Sequence, residues 1–303
     1  MSAMAPSLNN DEAWTPEEEV WADSGFWANL ASLLGQNKIV IISGIMVLLF
    51  ILAGTVGPDL YGVSYEKQDI YNTFAPPLSP GYVAGTDHLG RDMLARVLYG
   101  VRISLLVSVV VTVISLVLGM AVGIFAGYYG GRLDFILSSI MDIAWGFPMV
   151  LIAILFVAAI GPGIPAILVG MTIVNWAGFG RIIRGEVLAL REKEFIEAAK
   201  ALGVSDLRIF GRHLIPNTFA VTLVMASFYM GIVIIAEALL SFVGLGAQPP
   251  LPSLGQILAE SRNYMLQDIW MTALPGVVLA FGILGFNLLG DGLRDMLDPR
   301  LRV

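Results

Sequence analysis

The sequence predicts an all-α integral membrane protein with about six transmembrane helices. Composition is the first reason: of 303 residues, 57% are hydrophobic and only 14% charged, whereas a soluble domain carries about 25% charged residues. A mean hydropathy of +0.79 is the second. The third is pattern: the apolar residues gather into runs close to the roughly 20 residues that cross a hydrocarbon core, with short polar segments between them.

Residues 1–38 carry Asp11, Glu12, Glu17, Glu18, Glu19 and Asp23 and read as a solvated acidic tail, expected in the cytoplasm. The tail is too long and too acidic to be the n-region of a signal peptide, so the first apolar run is expected to stay as an anchor. Trp14, Trp21 and Trp27, with Phe26 and Leu30, either form an interfacial amphipathic helix or cover a subunit surface, and both readings stay open.

Spans are expected at 39–56, 103–128, 140–160, 164–181, 219–245 and 269–289. Residues 39–102 form one unit: the first span, an irregular extracytoplasmic lid over 57–85 rich in Pro, Tyr and Gly, and an amphipathic helix over 86–102 along the interface. Met93, Leu94, Val97 and Leu98 give that helix its apolar face. A core domain over 103–303 follows. In its second span Gly119, Gly123 and Gly127 recur every four residues, a small-residue face that lets two helix backbones approach closely. Pro148 is expected to kink the third span. Asp134 and Asp142 are expected near its cytoplasmic face. The fourth span is the weakest, broken by Asn175 and three glycines.

Lys and Arg counts set the orientation. With the N-terminus inside, the cytoplasmic segments hold twelve and the outside segments five, which favours both termini in the cytoplasm. Arg91, Arg96 and Arg102 are the exceptions clustered outside.

Several function classes are excluded. The net charge is −7 and there is no basic cluster, which argues against nucleic acid. Zero cysteines remove disulfides, thiolate metal sites and thiol catalysis. The two histidines, His88 and His213, are expected on opposite sides of the membrane. No phosphate-binding glycine loop and no nucleophile elbow occurs. No catalytic residue, metal site or cofactor site is therefore expected in this chain.

The most informative stretch is a charged island over 186–217. It reads as two short helices broken at Gly203, which can adopt the left-handed conformation that ends a helix. Ser205 or Asp206 can cap the second helix. Ala198, Ala199, Ala201 and Gly203 make the turn small enough to enter a groove, Arg208 and Arg212 face water or a partner, and Pro216 ends the segment.

The stretch Glu197-Ala-Ala-x3-Gly203-x9-His213-x-Ile215-Pro216 resembles the EAA loop of ABC-importer permeases. Residues 85–105, 240–246 and 287–300 are similar to further segments of the dipeptide/oligopeptide "C" branch of that family, in the same order, so the resemblance covers about residues 85–302. It implies a type I importer permease (MetI-like) fold in a bacterial inner membrane. It implies as partners a sister "B"-type permease, one or two cytoplasmic ATPases that hold the ATP and Mg, an extracytoplasmic solute-binding protein and membrane lipid. It implies a docking role for Glu197, Ala198, Ala199, Gly203, Val204, Ser205, Asp206, Arg208 and Arg212. Transport would proceed by alternating access, the loop carrying ATPase motion into the spans. Di- and oligopeptides are the default solute of the branch; nickel chelates, glutathione, opines and some sugars are carried by the same architecture. A stand-alone channel, a secondary transporter and a membrane enzyme are the rival classes; they would need internal repeats, a chain of intramembrane charges or a polar cluster at the membrane face.

Glu237, in the fifth span, is the one carboxylate set amid a long apolar run. It borders the path or a gate, or it makes a structural hydrogen bond; intramembrane charges usually pair off, which favours structure or gating over solute contact.

Overall fold

A computed structural model describes residues 38–297; the acidic tail and the last six residues lie outside the described residues. Eleven α-helices make up the described chain. In order they are α1 (Lys38–Thr55), α2 (Gly57–Tyr61), α3 (Met93–Tyr129), α4 (Gly131–Trp145), α5 (Met149–Ile160), α6 (Ile164–Arg191), α7 (Glu194–Ala201), α8 (Asp206–Ile209), α9 (Ile215–Phe242), α10 (Leu254–Ser261) and α11 (Trp270–Leu297). Among the described residues there is no β-strand, only two isolated bridges within residues 79–92.

Five helical stretches are long and apolar enough to cross a membrane. The sixth expected span is a bent pair: α4 and α5 meet at 79° across Gly146, Phe147 and Pro148. Pro148 supplies no N–H and sits with extended backbone just before α5, so the ladder of α4 cannot continue through it. The expected kink is thus a full break. The pair still connects the two ends of the bundle. Gly130, at the start of α4, lies beside the Arg191 guanidinium, while Gly163, just past α5, donates to the Leu245 carbonyl at the other end.

Three expectations need correction. First, 86–102 is not an interfacial helix. Residues 86–92 are turns, Asp92 caps α3 by accepting from the Ala95 N–H at 2.8 Å, and α3 then runs unbroken for 37 residues. Met93, Val97 and Val101 recur every four residues and are buried with Phe50 and Ile257, so this stripe belongs to the core. Second, the helix expected to continue the fourth span through 186–202 is not continuous. It runs to Arg191, breaks at Glu192 and Lys193, and resumes as α7. Third, Pro216 does not end the charged segment ahead of the fifth span. Residues 206–242 are helical throughout, with a widened π-helical turn at Phe210–Leu214 in which the Ile215 N–H reaches the Phe210 carbonyl. Pro216 stands at the start of α9, where its missing N–H costs least.

The glycine face of α3 packs as its spacing predicts. A Cβ on Gly119 would lie 2.5 Å from the Trp176 carbonyl, on Gly123 2.6 Å from that of Gly180, and on Gly127 2.9 Å from that of Arg184. Backbone-to-backbone contact of α3 with α6 thus requires all three. α1 lies against α11, with Phe50 seated on Gly282 and edge-on to Phe286.

Residues 57–92 close one end of the bundle, here the lid end. Asp69 organises them, accepting from the Tyr71 N–H, the Asn72 amide and the Tyr82 hydroxyl. Gly90 (φ +72°) passes so close to Asp69 that a Cβ would overlap its carbonyl. Loop 192–205 marks the opposite end, the loop end.

Candidate coupling site and buried charges

Helix α7 ends as its sequence predicts. Gly203 adopts φ +73° and the Val204 N–H returns to the Ala199 carbonyl at 3.1 Å, the 6→1 bond of a Schellman stop. Ser205 stands at the cap position of α8 but makes no side-chain cap bond. Asp206, the other expected cap, instead accepts from two phenols at the end of α3: Tyr128 to Oδ1 and Tyr129 to Oδ2, each at 2.8 Å.

The loop has two faces. Ile196, Ala199, Ile209, Phe210 and Leu214 are buried against Ile124, Tyr128, Ile183 and Val187 of α3 and α6. Phe210 meets Phe125, Tyr128 and Tyr129 edge-on, and the Lys200 ammonium stands 4.5 Å from the Tyr128 ring centre. The outer face carries Glu197, Ala198, Gly203, Ser205, Arg208 and Arg212, all exposed, with Val204 half-buried. Among them Leu202 is 83% exposed, Leu207 79% and Phe195 44%. Three large apolar side chains thus stand exposed beside the charged groups of this face. Beside them a cleft is lined by Tyr128, Arg191, Glu192, Glu197 and Lys200.

The expected coupling residues therefore come together on one knob. Sequence reasoning missed Leu202, Leu207 and the tyrosine pair. An apolar residue directly flanking the Gly203 stop was the available signal for Leu202. Tyr128 and Tyr129, which close α3, carried no local signal of a partner 78 residues away.

Glu237 lies within the chain's own bundle and is 1% exposed. Ser104 of α3 donates to it at 2.9 Å, Ser241 at 2.7 Å, and Ser253, the cap of α10, also bonds it. The carboxyl group ties three helices together and does not open onto a surface. Of the alternatives the sequence left open, this geometry favours the structural one.

At the lid end a second buried network explains the arginines that broke the charge rule. Asp87, wholly buried, accepts from Arg91 and Arg96, and both guanidiniums also reach Glu260 of α10, at 2.8 and 2.9 Å. Burial alone would push the Asp87 carboxyl up. Arg96 and Arg91, with backbone N–H groups of Arg91 and Leu89, overturn this and hold it below the usual carboxylate range. His88 stacks on Tyr264, and burial lowers its imidazole below the ordinary value. Asp87, His88 and Glu260 have ligand atoms within 4.8 Å of one another. Two guanidiniums already hold both carboxylates, so the cluster is an ion-pair network by its own chemistry. Arg102 is likewise spoken for, donating to the Gly54 and Thr55 carbonyls and to Asp59.

Comparison with known proteins agrees with this architecture. Residues 119–303 match the model of the family described as binding-protein-dependent transport system inner membrane component. The chain is 39% identical to the dipeptide transport system permease protein DppC of Alkalihalophilus pseudofirmus, over 99% of this chain and 97% of that one. It is 40% identical to the oligopeptide transport system permease protein OppC of Escherichia coli K12, over 91% and 92%. Among solved structures it is similar to a chain of the MetNI methionine ABC transporter in an inward-facing conformation. The TM-score is 0.55 at 20% identity, covering 68% of this chain and 98% of that one, a likeness that shows the type I importer fold. Family model, relatives and fold converge: this chain belongs to the binding-protein-dependent transport system inner membrane component family, the permease subunits of ABC importers.

Proposed function

We propose that this chain is one half of the membrane path of an ATP-driven importer of di- and oligopeptides, in a bacterial inner membrane with both termini in the cytoplasm. The peptide assignment rests on relatives named as dipeptide and oligopeptide permeases at 39–40% identity over most of their length. A sister permease completes the path, a solute-binding protein delivers the peptide at the lid end, and one or two ATPases dock at the loop end. The chain itself is non-catalytic; ATP and Mg belong to the ATPases.

The observation that carries the coupling role is the two-faced knob. Its inner face is packed into α3 and α6, so a push on it moves the spans. Its outer face offers Leu202 and Leu207 as apolar anchors ringed by Glu197, Ser205, Arg208 and Arg212, the pattern of an interface core with a polar rim. Ala198, Ala199, Gly203 and Val204 keep the turn slim enough to enter a cleft. Closure of the ATPase pair shifts the knob, and the cavity between the permeases changes the side it opens to.

Affinity purification in mild detergent with mass spectrometry of the co-eluting chains tests this. A second permease and nucleotide-binding subunits are expected, and a co-eluting binding protein would identify the solute. A homo-oligomer with no ATPase would overturn the reading.

A further inference from the structure

Two charged groups within the helical bundle are firmly held, and a third pair is not. Glu237 is held by serines, and the Arg184 guanidinium pairs with both carboxylate oxygens of Asp134. Asp142 and Arg181, on α4 and α6, approach only to 3.6 Å through a single guanidinium nitrogen, and their side chains stay 62% and 49% exposed in the isolated chain. The pair is not at the loop end of the bundle, although Asp142 lies in the last turn of α4, just before the break. Asp142 stands eleven residues past Gly131 and Arg181 ten before Arg191, about 15 Å along each helix at 1.5 Å per residue. Exposed apolar side chains flank this level on both sides: Phe135 and Ile136 toward the loop end, Phe147 and Leu151 beyond it. Charges at such a depth face a water-filled space or another protein surface, because hydrocarbon does not solvate them.

A second, independent observation points the same way. The break at Gly146, Phe147 and Pro148 leaves non-helical backbone exposed one turn beyond Asp142. Irregular backbone at membrane depth is tolerated only within protein or along a watery cavity, and broken helices are where transporters hold their solutes. The polar groups are moreover ordered into a track. Asp134, Ser138 and Asp142 recur every fourth residue on α4, with Ser138 donating to Asp134 at 3.0 Å, and Arg184 and Arg181 stand opposite, one turn apart on α6. The track leads from the loop end to the break. Trp145 walls its far end, touching the surface of Gly178 and lying 6.0 Å from the Arg181 guanidinium.

We infer that the Asp142–Arg181 pair, backed by Trp145, lines the loop-side half of the solute path and exchanges its partners with the charged end groups of a zwitterionic solute. The guanidinium takes a carboxylate and Asp142 an ammonium. A single long contact is readily given up, as transit requires, whereas the two-bond Asp134–Arg184 pair is built to stay. The inference rests on the importer reading above.

Because the chain has no cysteine, Trp145→Cys gives a single reporter of this subunit. Ile45→Cys, on the exposed face of α1, serves as the lipid-facing control. Each is probed in the reconstituted importer with a charged, membrane-impermeant methanethiosulfonate and with a lipid-soluble maleimide. Position 145 is expected to react with the charged reagent at least about tenfold faster than position 45, since the hydrocarbon excludes charge, and its rate is expected to change on vanadate trapping. Reaction only with the maleimide would mean a lipid-facing site, and reaction with neither a sealed subunit contact; either outcome overturns the inference. In the same membranes Arg181→Gln should lower trialanine uptake about tenfold with normal assembly, and unchanged uptake would also overturn it. Loss of the ATPases from the wild-type preparation would instead indict the importer reading, so the two failures are distinguishable.

Discussion

Tyr128 and Asp206 are 78 residues apart in the chain and meet through a 2.8 Å hydrogen bond in which the phenol donates to the carboxylate. Tyr129 donates to the other oxygen of the same group. One carboxylate therefore ties the loop-end knob to the last turn of α3, a 37-residue helix that runs to the lid. The knob reaches α6 and α9 along the chain; it reaches α3 across this contact, the rings around Phe210, the Lys200 ammonium over Tyr128 and the apolar packing on Ile124.

Asp206→Asn and Tyr128→Phe should accordingly loosen the knob without unfolding the bundle. Losing the Tyr128 bond costs about 1 kcal/mol locally, because the acceptor is charged but half-buried. Hydrogen exchange over 199–210 should quicken, and uptake should fall relative to ATP turnover. Unchanged exchange would show that the ring packing alone holds the knob.

Gly203 has φ +73°, and a Cβ added there would meet nothing within 4 Å, so space is free and only the backbone conformation resists substitution. Gly203→Ala should cost about 1 kcal/mol through that strain. Gly203→Pro, whose ring forbids positive φ, and Glu197→Lys on the exposed face should uncouple transport while the protein still reaches the membrane. Normal uptake by both would remove the coupling role from this loop.

Glu237 gives a prediction that separates bracing from solute contact. Glu237→Gln keeps the shape and hydrogen-bonding capacity toward Ser104, Ser241 and Ser253, so stability and uptake should stay near wild type. Glu237→Leu strands buried hydroxyls at a cost of roughly 1–3 kcal/mol and should lower the thermal midpoint in detergent. Loss of uptake in the Gln variant at normal stability would put Glu237 on the path after all.

The lid should loosen in acid. The Asp87 carboxyl is depressed in the fold, so its contribution is complete above the unfolded carboxylate value near 3.9 and is lost as pH falls through the lower folded value. His88 is depressed too, and a base held neutral stabilises fully above its unfolded value near 6.5 and less as pH falls toward the folded one. The histidine thus acts first. Proteolysis within 62–83 should rise as pH falls below the unfolded histidine value near 6.5, and His88→Phe should abolish that rise. A pH-independent cleavage rate in the wild type would refute the linkage.

Topology is checked by Ser205→Cys in this cysteine-free chain. An impermeant thiol reagent should label it only from the cytoplasmic side. Labelling from outside intact cells would invert the orientation.

Much of this molecule is written in local pattern. Apolar runs fixed the existence of the spans because a bilayer demands length and hydropathy, which are properties of composition. The four-residue glycine repeat of α3 announced a close helix contact, and Gly203 announced the stop of α7, since each depends on one residue's own geometry. What local pattern could not carry was any relation between distant groups. The stripe at Met93, Val97 and Val101 reads equally as an interfacial face or a core face, and only packing against α1 and α10 decides between them. Glu237 reads as an exposed intramembrane acid until three serines from separate elements close around it. Asp142 and Arg181 each look affordable near a membrane face. They become a pair at one depth beside a broken helix only when α4 is laid along α6. The sequence by itself determined which segments enter the membrane, because solvation acts on each segment alone. The tertiary structure decided which charges are satisfied and which remain open, because a charge's cost is set by neighbours that the chain brings from elsewhere.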